Sequence, residues 1–373
     1  MKAVKSLLAC FLMLIIFAVP VLAEENDDFT SLINSSGADE LYESLDDEIK
    51  DALGELGING VDFTSLFDVS LEKVFNVIKN AASGSLESPV KSLTKLLSVI
   101  ILLAIGESFI PDDEKIKPVM GILGSLFCIS VVIVPLYQAM ESAVSSVSLC
   151  SSFMKLLIPV LTGVISASGN PSLAISFQSV AFYAAQVISL VSEKYIVPLV
   201  GAVIALDIAG SLMPSFKLGG ITELIKKTVV SVLSFAASLY VSFLGIKGAL
   251  ANAADTVANK GIKLIISSAV PVVGGAVSEA YSGILGSLVL VKSTVGIFGI
   301  AVIAVITAPA MIQLLFWIFA LKIGVAAGEV FMQDGTVKIL KAFASAATLL
   351  NVVLLFNAVL FIISMALILA IRQ

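Results

Sequence analysis

From Ile196 to Met213 the chain carries a single ionisable side chain, Asp207, and this run constrains the fold more than any other feature. At about 1.5 Å per residue, a helix of that length nearly crosses a hydrocarbon layer of about 30 Å. An acid near the middle of such a span costs roughly 2.5 to 3.5 kcal/mol to insert, so Asp207 is expected to face other helices or water. Pro214, Gly219-Gly220 and Lys226-Lys227 follow the run and mark a cytoplasmic end. Composition extends the argument to the whole chain. With 58% hydrophobic residues, 13% charged residues and a mean hydropathy of +1.06, it lies far from soluble proteins, in which about a quarter of residues are charged. A multi-span membrane protein is expected.

The chain has no histidine, which excludes imidazole bases, His-paired nucleophiles and the commonest transition-metal ligand. The three cysteines, Cys10, Cys128 and Cys150, are too scattered for a disulfide framework or a Cys-rich metal site. There is no G-x-x-x-x-G-K-[ST] phosphate loop. No cofactor and no nucleic-acid partner are expected, and the chain does not read as an enzyme. An intramembrane aspartyl protease would need a second Asp in another span, where only glutamates accompany Asp207.

Residues 1–23 show the order of a cleavable secretory signal: Lys2 and Lys5, an apolar run from Leu7 to Leu22, then Val21-Leu22-Ala23. The alternative is a retained first span. Residues 24–90 hold sixteen acids and three lysines, a net of −13, whereas 91–373 hold seventeen basic residues and twelve acids, a net of +5. The chain therefore divides into an acidic extracytoplasmic segment and a polytopic membrane body, oriented with its basic loops inside. In the acidic segment Leu41, Leu45, Ile49, Leu53 and Leu56 recur at helical spacing, with Gly54 and Gly57 ending the pattern. A second run uses Leu71, Val74, Phe75 and Ile78 behind Ser70. These helices are expected to pack on each other, on the membrane surface or on a partner; the alternative is a solvated spacer.

The body reads as an all-α bundle of roughly seven to nine transmembrane helices with interrupted or re-entrant segments. Spans are expected at 96–110, 119–137, 153–168, 173–191, 196–213, 228–246, 295–319 and 343–370. Gln138–Ser152 reads as an amphipathic connector and Lys247–Lys263 as an interfacial helix. Gly169-Asn170-Pro171-Ser172 reads as a turn. Pro271 and Gly274-Gly275 break the stretch from Leu264 to Leu290, and 322–341 cannot be placed. Asn59 and Asn259 are expected outside, with Lys115, Gly220 and Gln373 in the cytoplasm.

A faint internal repeat relates Pro198-Leu199-Val200-Gly201 to Pro271-Val272-Val273-Gly274, each followed by an acid and a further glycine: Asp207 and Gly210, Glu279 and Gly283. Paired interrupted helices of this kind mark sites in repeat-built transporters. Small residues and prolines are nevertheless common in membrane helices. The candidate conduit or packing residues are Pro198, Gly201, Asp207, Gly210, Pro214, Asp255, Pro271, Gly274, Gly275 and Glu279.

Four stretches carry a family resemblance: PLVGAVIALDIAGSL at Pro198–Leu212, DTVANK at Asp255–Lys260, AVPVVGGAVSEAY at Ala269–Tyr281 and KSTVG at Lys292–Gly296. Together with the leader, acidic segment and apolar body in that order, they resemble the stage III sporulation protein AE family. The resemblance implies a mother-cell protein in the membrane surrounding the forespore. Its implied partners are other stage III sporulation membrane proteins, including an ATPase and ring-forming subunits, together with the lipid bilayer. Its implied role is a channel or secretion-like complex supporting late forespore gene expression. It implies no catalytic residues. A stand-alone permease for a small solute is the alternative.

Overall fold

A computed structural model describes residues 33, 36–62, 65–66, 71–109, 117–212, 218–269 and 274–370. The expected leader lies outside them. The helices that build the molecule are α1 (Ala38–Glu43), α2 (Asp47–Leu56), α3 (Leu71–Ser108), α4 (Lys117–Ala167), α5 (Pro171–Val191), α6 (Val197–Leu212), α7 (Gly219–Ala269), α8 (Gly274–Val330) and α9 (Asp334–Ala370). A π-helical turn, Ser192–Ile196, joins α5 to α6. Seven of the helices among the described residues are long and apolar enough to cross a membrane.

Helices α3 and α4 pair antiparallel, as do α8 and α9, whereas α5, the π turn and α6 form one continuous rod that runs antiparallel to α7. A Cβ on Gly124 of α4 would meet Leu103 of α3, and one on Gly328 of α8 would meet Val337 of α9. At the far end of the same hairpin, Gly296 faces Leu369. The α8–α9 hairpin is the centre: 67% and 61% of their most apolar windows are buried, against 17% for α7. Trp317, Phe298, Phe343 and Phe361 are fully buried there. Close approach depends on absent side chains, since a Cβ on Gly299 would lie 2.6 Å from Leu157 Cδ2 of α4. This is how helices associate where lipid provides no hydrophobic drive. On α7, exposed Phe235, Leu239, Phe243, Ile246 and Leu250 form a stripe at helical spacing that suits lipid.

Several expected breaks are absent. Gln138–Ser152 is not a separate connector, because α4 runs through it as one helix of 51 residues. No glycine or proline interrupts that stretch, and Ser146 Oγ donates to the Ser142 carbonyl at 3.0 Å within the helix. Lys247–Lys263 likewise continues α7, also 51 residues, and is not a surface helix. Helix α7 ends at Ala269. Residues 270–273, which include Pro271, lie outside the described residues, and α8 then runs 57 residues to Val330 without re-entering. At about 1.5 Å per residue α8 is about 85 Å long, so the bundle extends well past a hydrocarbon core of about 30 Å.

The stretch 322–341 is the end of α8, a tight turn and the start of α9. Met332 adopts φ 55 in that turn, and Gln333 Nε2 donates to the Ile100 carbonyl at 2.9 Å, fixing it to α3. Because α9 starts beside Gly121 of α4 and ends beside Gly296, Ala370 lies at the opposite end of the bundle from Gly220. The expectation that Gly220 and the end of the last span share one side does not fit this arrangement, because α7, α8 and α9 run in alternate directions between them; Gln373 itself lies outside the described residues.

The acidic segment packs on the body of its own chain. Leu41, Leu45, Leu53 and Leu56 are buried in the same cluster as the α4 and α8 core. The Tyr42 ring lies 6.4 Å from that of Phe298. Gly57, at φ 88, ends α2 in the left-handed conformation, and the Ile58 N–H returns to the Leu53 carbonyl at 2.9 Å. The solvated-spacer alternative fails here, because ordered apolar residues on α1 and α2 cover core that would otherwise be open. Helix α3 continues unbroken from Leu71 through residue 90 to Ser108, with Pro89 inside it.

Candidate functional site

Asp207 sits on the last turns of α6 and faces α7. Its Oδ2 accepts from Lys226 Nζ at 3.0 Å, and the side chains are only 14% and 21% exposed. The hairpin between α6 and α7 makes this contact possible: Gly210 lets Leu218 approach, with a built Cβ 3.4 Å from the Leu218 Cβ. An acid placed in a span is thus neutralised by a lysine nineteen residues later, whose sequence signature is the basic cluster at the span's end.

A second contact joins two motifs far apart in the chain. Helix α5 begins at Pro171, which has no N–H to satisfy and suits the first helical position. The next two backbone N–H groups, of Ser172 and Leu173, donate to Asp255 Oδ1 at 3.1 Å and Oδ2 at 2.9 Å. Asp255 is 2% exposed. One turn further along α7, Asn259 Nδ2 donates to the Gly169 carbonyl at 2.6 Å. Gly169 has φ 82, so the turn uses glycine's freedom. The i, i+4 pair in the DTVANK stretch is therefore a clasp that caps α5 and holds the Gly169–Pro171 turn, with a carboxylate at the positive end of the helix dipole. Two of the polar residues in Lys247–Lys263, Asp255 and Asn259, have this cause.

A third region surrounds the π turn. A cavity of about 450 Å³ lies between α5, α7 and α9, with apolar walls and a few polar groups, among them Ser192, Tyr240, Lys247 and Asn357. Tyr240 Oη and Ser364 Oγ are hydrogen-bonded at 2.6 Å. Asn357 Nδ2 donates to the Val353 carbonyl at 2.9 Å and reaches Ser192 Oγ at 3.5 Å. A π turn inside a helical rod often marks a functional position. None of these four residues stands out in sequence, because isolated polar residues in apolar helices give no spacing signal.

The remaining candidates do not converge. Pro198 and Gly201 are exposed within α6, Gly274 and Gly275 open α8, and Glu279 is exposed near the start of α8. Pro214 and Pro271 lie outside the described residues. Glu279 and Lys322, which shares a cleft with Lys226, are 43 positions apart on one helix, about 65 Å. Asp207 and Glu279 therefore belong to opposite ends of the bundle. The faint repeat does not build one paired site: its first copy lies inside a helix, and the Gly274 of its second opens one.

Long apolar helices tied together by a partly buried ion pair, a helix clasp and a polar-edged cavity are consistent with an all-α membrane protein. Residues 62–371 match the stage III sporulation protein AE family, and the chain belongs to that family. It is similar to the stage III sporulation protein AE of Bacillus subtilis (strain 168), 24% identical over 238 residues, covering 62% of this chain and 60% of that protein. The chain thus aligns with less than two thirds of that relative's length. No solved structure matches it.

Proposed function

We propose that this protein is an integral membrane subunit of a sporulation-specific channel or secretion-like complex between mother cell and forespore. Family membership supports a sporulation role. The observation that carries the conduit reading is that the partly buried Asp207–Lys226 pair and the buried Asp255 tie helix to helix at separate places in the bundle. On this reading it is a non-enzymatic scaffold in the mother-cell membrane around the forespore. An ATPase and ring-forming subunits of the same complex supply energy and the rest of the path, in support of late forespore gene expression.

The cavity between α5, α7 and α9 favours a second reading, a stand-alone permease. Reconstitution into liposomes separates the two. Solute flux that requires the partner subunits supports the conduit, whereas flux through this protein alone refutes it. A host lacking the gene should engulf its forespore normally and then fail in late forespore gene expression. Normal spores from that host would refute the sporulation role.

A further inference from the structure

Three lysines from three different helices meet at one cleft. Lys226 lies near the start of α7, Lys322 near the end of α8 and Lys341 near the start of α9, around a cavity of about 460 Å³. Each stands at an edge of an apolar run: Thr228–Ile246, Ile297–Leu321 and Ala342–Ala370. The cleft is thus level with the boundary at which a bilayer's headgroups begin. Its remaining lining is mostly apolar, including Val230, Val325, Leu349 and Val352.

The charges are unevenly matched. Lys226 is held by Asp207 in a mostly buried pair. Lys341 reaches Glu329 at 2.7 Å, but both side chains are more than half exposed, so that pair is weak and readily exchanged. Lys322 has no ion pair among the described residues. Five charged groups therefore leave a net positive charge at the mouth of an apolar groove. We propose that this cleft binds one anionic phospholipid, its phosphate between Lys322 and Lys341 and an acyl chain along Val325, Leu349 and Val352. Basic pockets between spans on the positively charged side of a membrane protein recognise anionic headgroups by this chemistry. The proposal does not rest on the sporulation role.

The test is native mass spectrometry of the full-length protein in detergent, with phosphatidylglycerol or phosphatidylcholine of matched acyl chains. Each lysine beside an anionic headgroup contributes roughly fivefold, so the wild type should retain phosphatidylglycerol about thirtyfold better than phosphatidylcholine. The K322Q/K341Q variant should lose that preference. K260Q/K263Q, which removes lysines elsewhere on α7, should keep it. Should the double variant melt early, K322Q alone, which breaks no ion pair, decides by a loss of roughly fivefold. Equal retention of the two lipids by wild type, or an undiminished preference in K322Q, overturns the proposal. Displacement of the lipid by millimolar inorganic phosphate, but not by chloride at equal ionic strength, overturns it in favour of a free anion.

Discussion

Asp255 offers the sharpest check on the packing argument. Replacing it with alanine leaves the Ser172 and Leu173 N–H groups at a buried helix start without their acceptors at 3.1 and 2.9 Å. Each orphaned buried donor costs about 1 to 3 kcal/mol, and removing a cap typically costs about 1 kcal/mol. Water reaching the opened turn recovers part of this, so Asp255→Ala should destabilise the fold by about 2 to 4 kcal/mol. Asp255→Asn retains one acceptor oxygen and turns an amide toward the second N–H, so about half that loss is expected. The protein supplies its own probe: Cys128 and Cys150 are buried, so a thiol-reactive dye reports melting once Cys10 is replaced by serine. For a large chain, about 2 °C per kcal/mol predicts a fall of roughly 4 to 8 °C for the alanine variant and about half for asparagine. An Asp255→Ala protein that melts within about 1 °C of wild type would falsify the clasp, since unpaired buried donors cannot be silent.

Asp207 and Lys226 should behave as a coupled pair. Either Asp207→Asn or Lys226→Gln alone should lower the dye-detected melting point by an amount equivalent to about 1 to 3 kcal/mol, and the double variant should lose less than their sum; strict additivity would show that the 3.0 Å contact carries no energy. Leu45→Asp with Ile49→Asp places two charges in the contact between the acidic segment and the body, so early melting is expected at more than about 3 kcal/mol, before any effect on partners. A doubly substituted protein as stable as wild type would mean that the segment is undocked. Gly169→Ala forces φ 82 on a residue with a Cβ that would lie 3.0 Å from Asn259 Oδ1 and 3.3 Å from Leu285 Cδ2. A loss of about 1 to 3 kcal/mol is expected by the same melt, and an unchanged melting point would refute the strained-turn account.

Much of the membrane architecture was legible in the chain itself, because the energy that governs it depends on composition over a window. A run such as 196–213 or 343–370 must be helical and sheltered from water whatever surrounds it, as backbone groups in lipid have no other partner. The turn at Gly169–Pro171 followed from local backbone chemistry in the same way. The family could be recognised from four short motifs.

What the sequence could not decide were the partners of polar residues. The 138–152 and 247–263 stretches looked too polar to continue a span, because average hydropathy cannot show that Ser146 bonds within its own turn or that Asp255 caps a helix 83 residues earlier. The docking of Leu45 and Tyr42 against the body, the match of Asp207 with Lys226 and the gathering of Lys226, Lys322 and Lys341 are all contacts between segments distant in sequence. An amphipathic stripe or a lone charge specifies that something must cover it and leaves open which element does. That choice depends on helix order, length and register around α8 and α9, so tertiary packing alone separated the Asp207 end from the Glu279 end and turned an apparent repeat into two unlike sites.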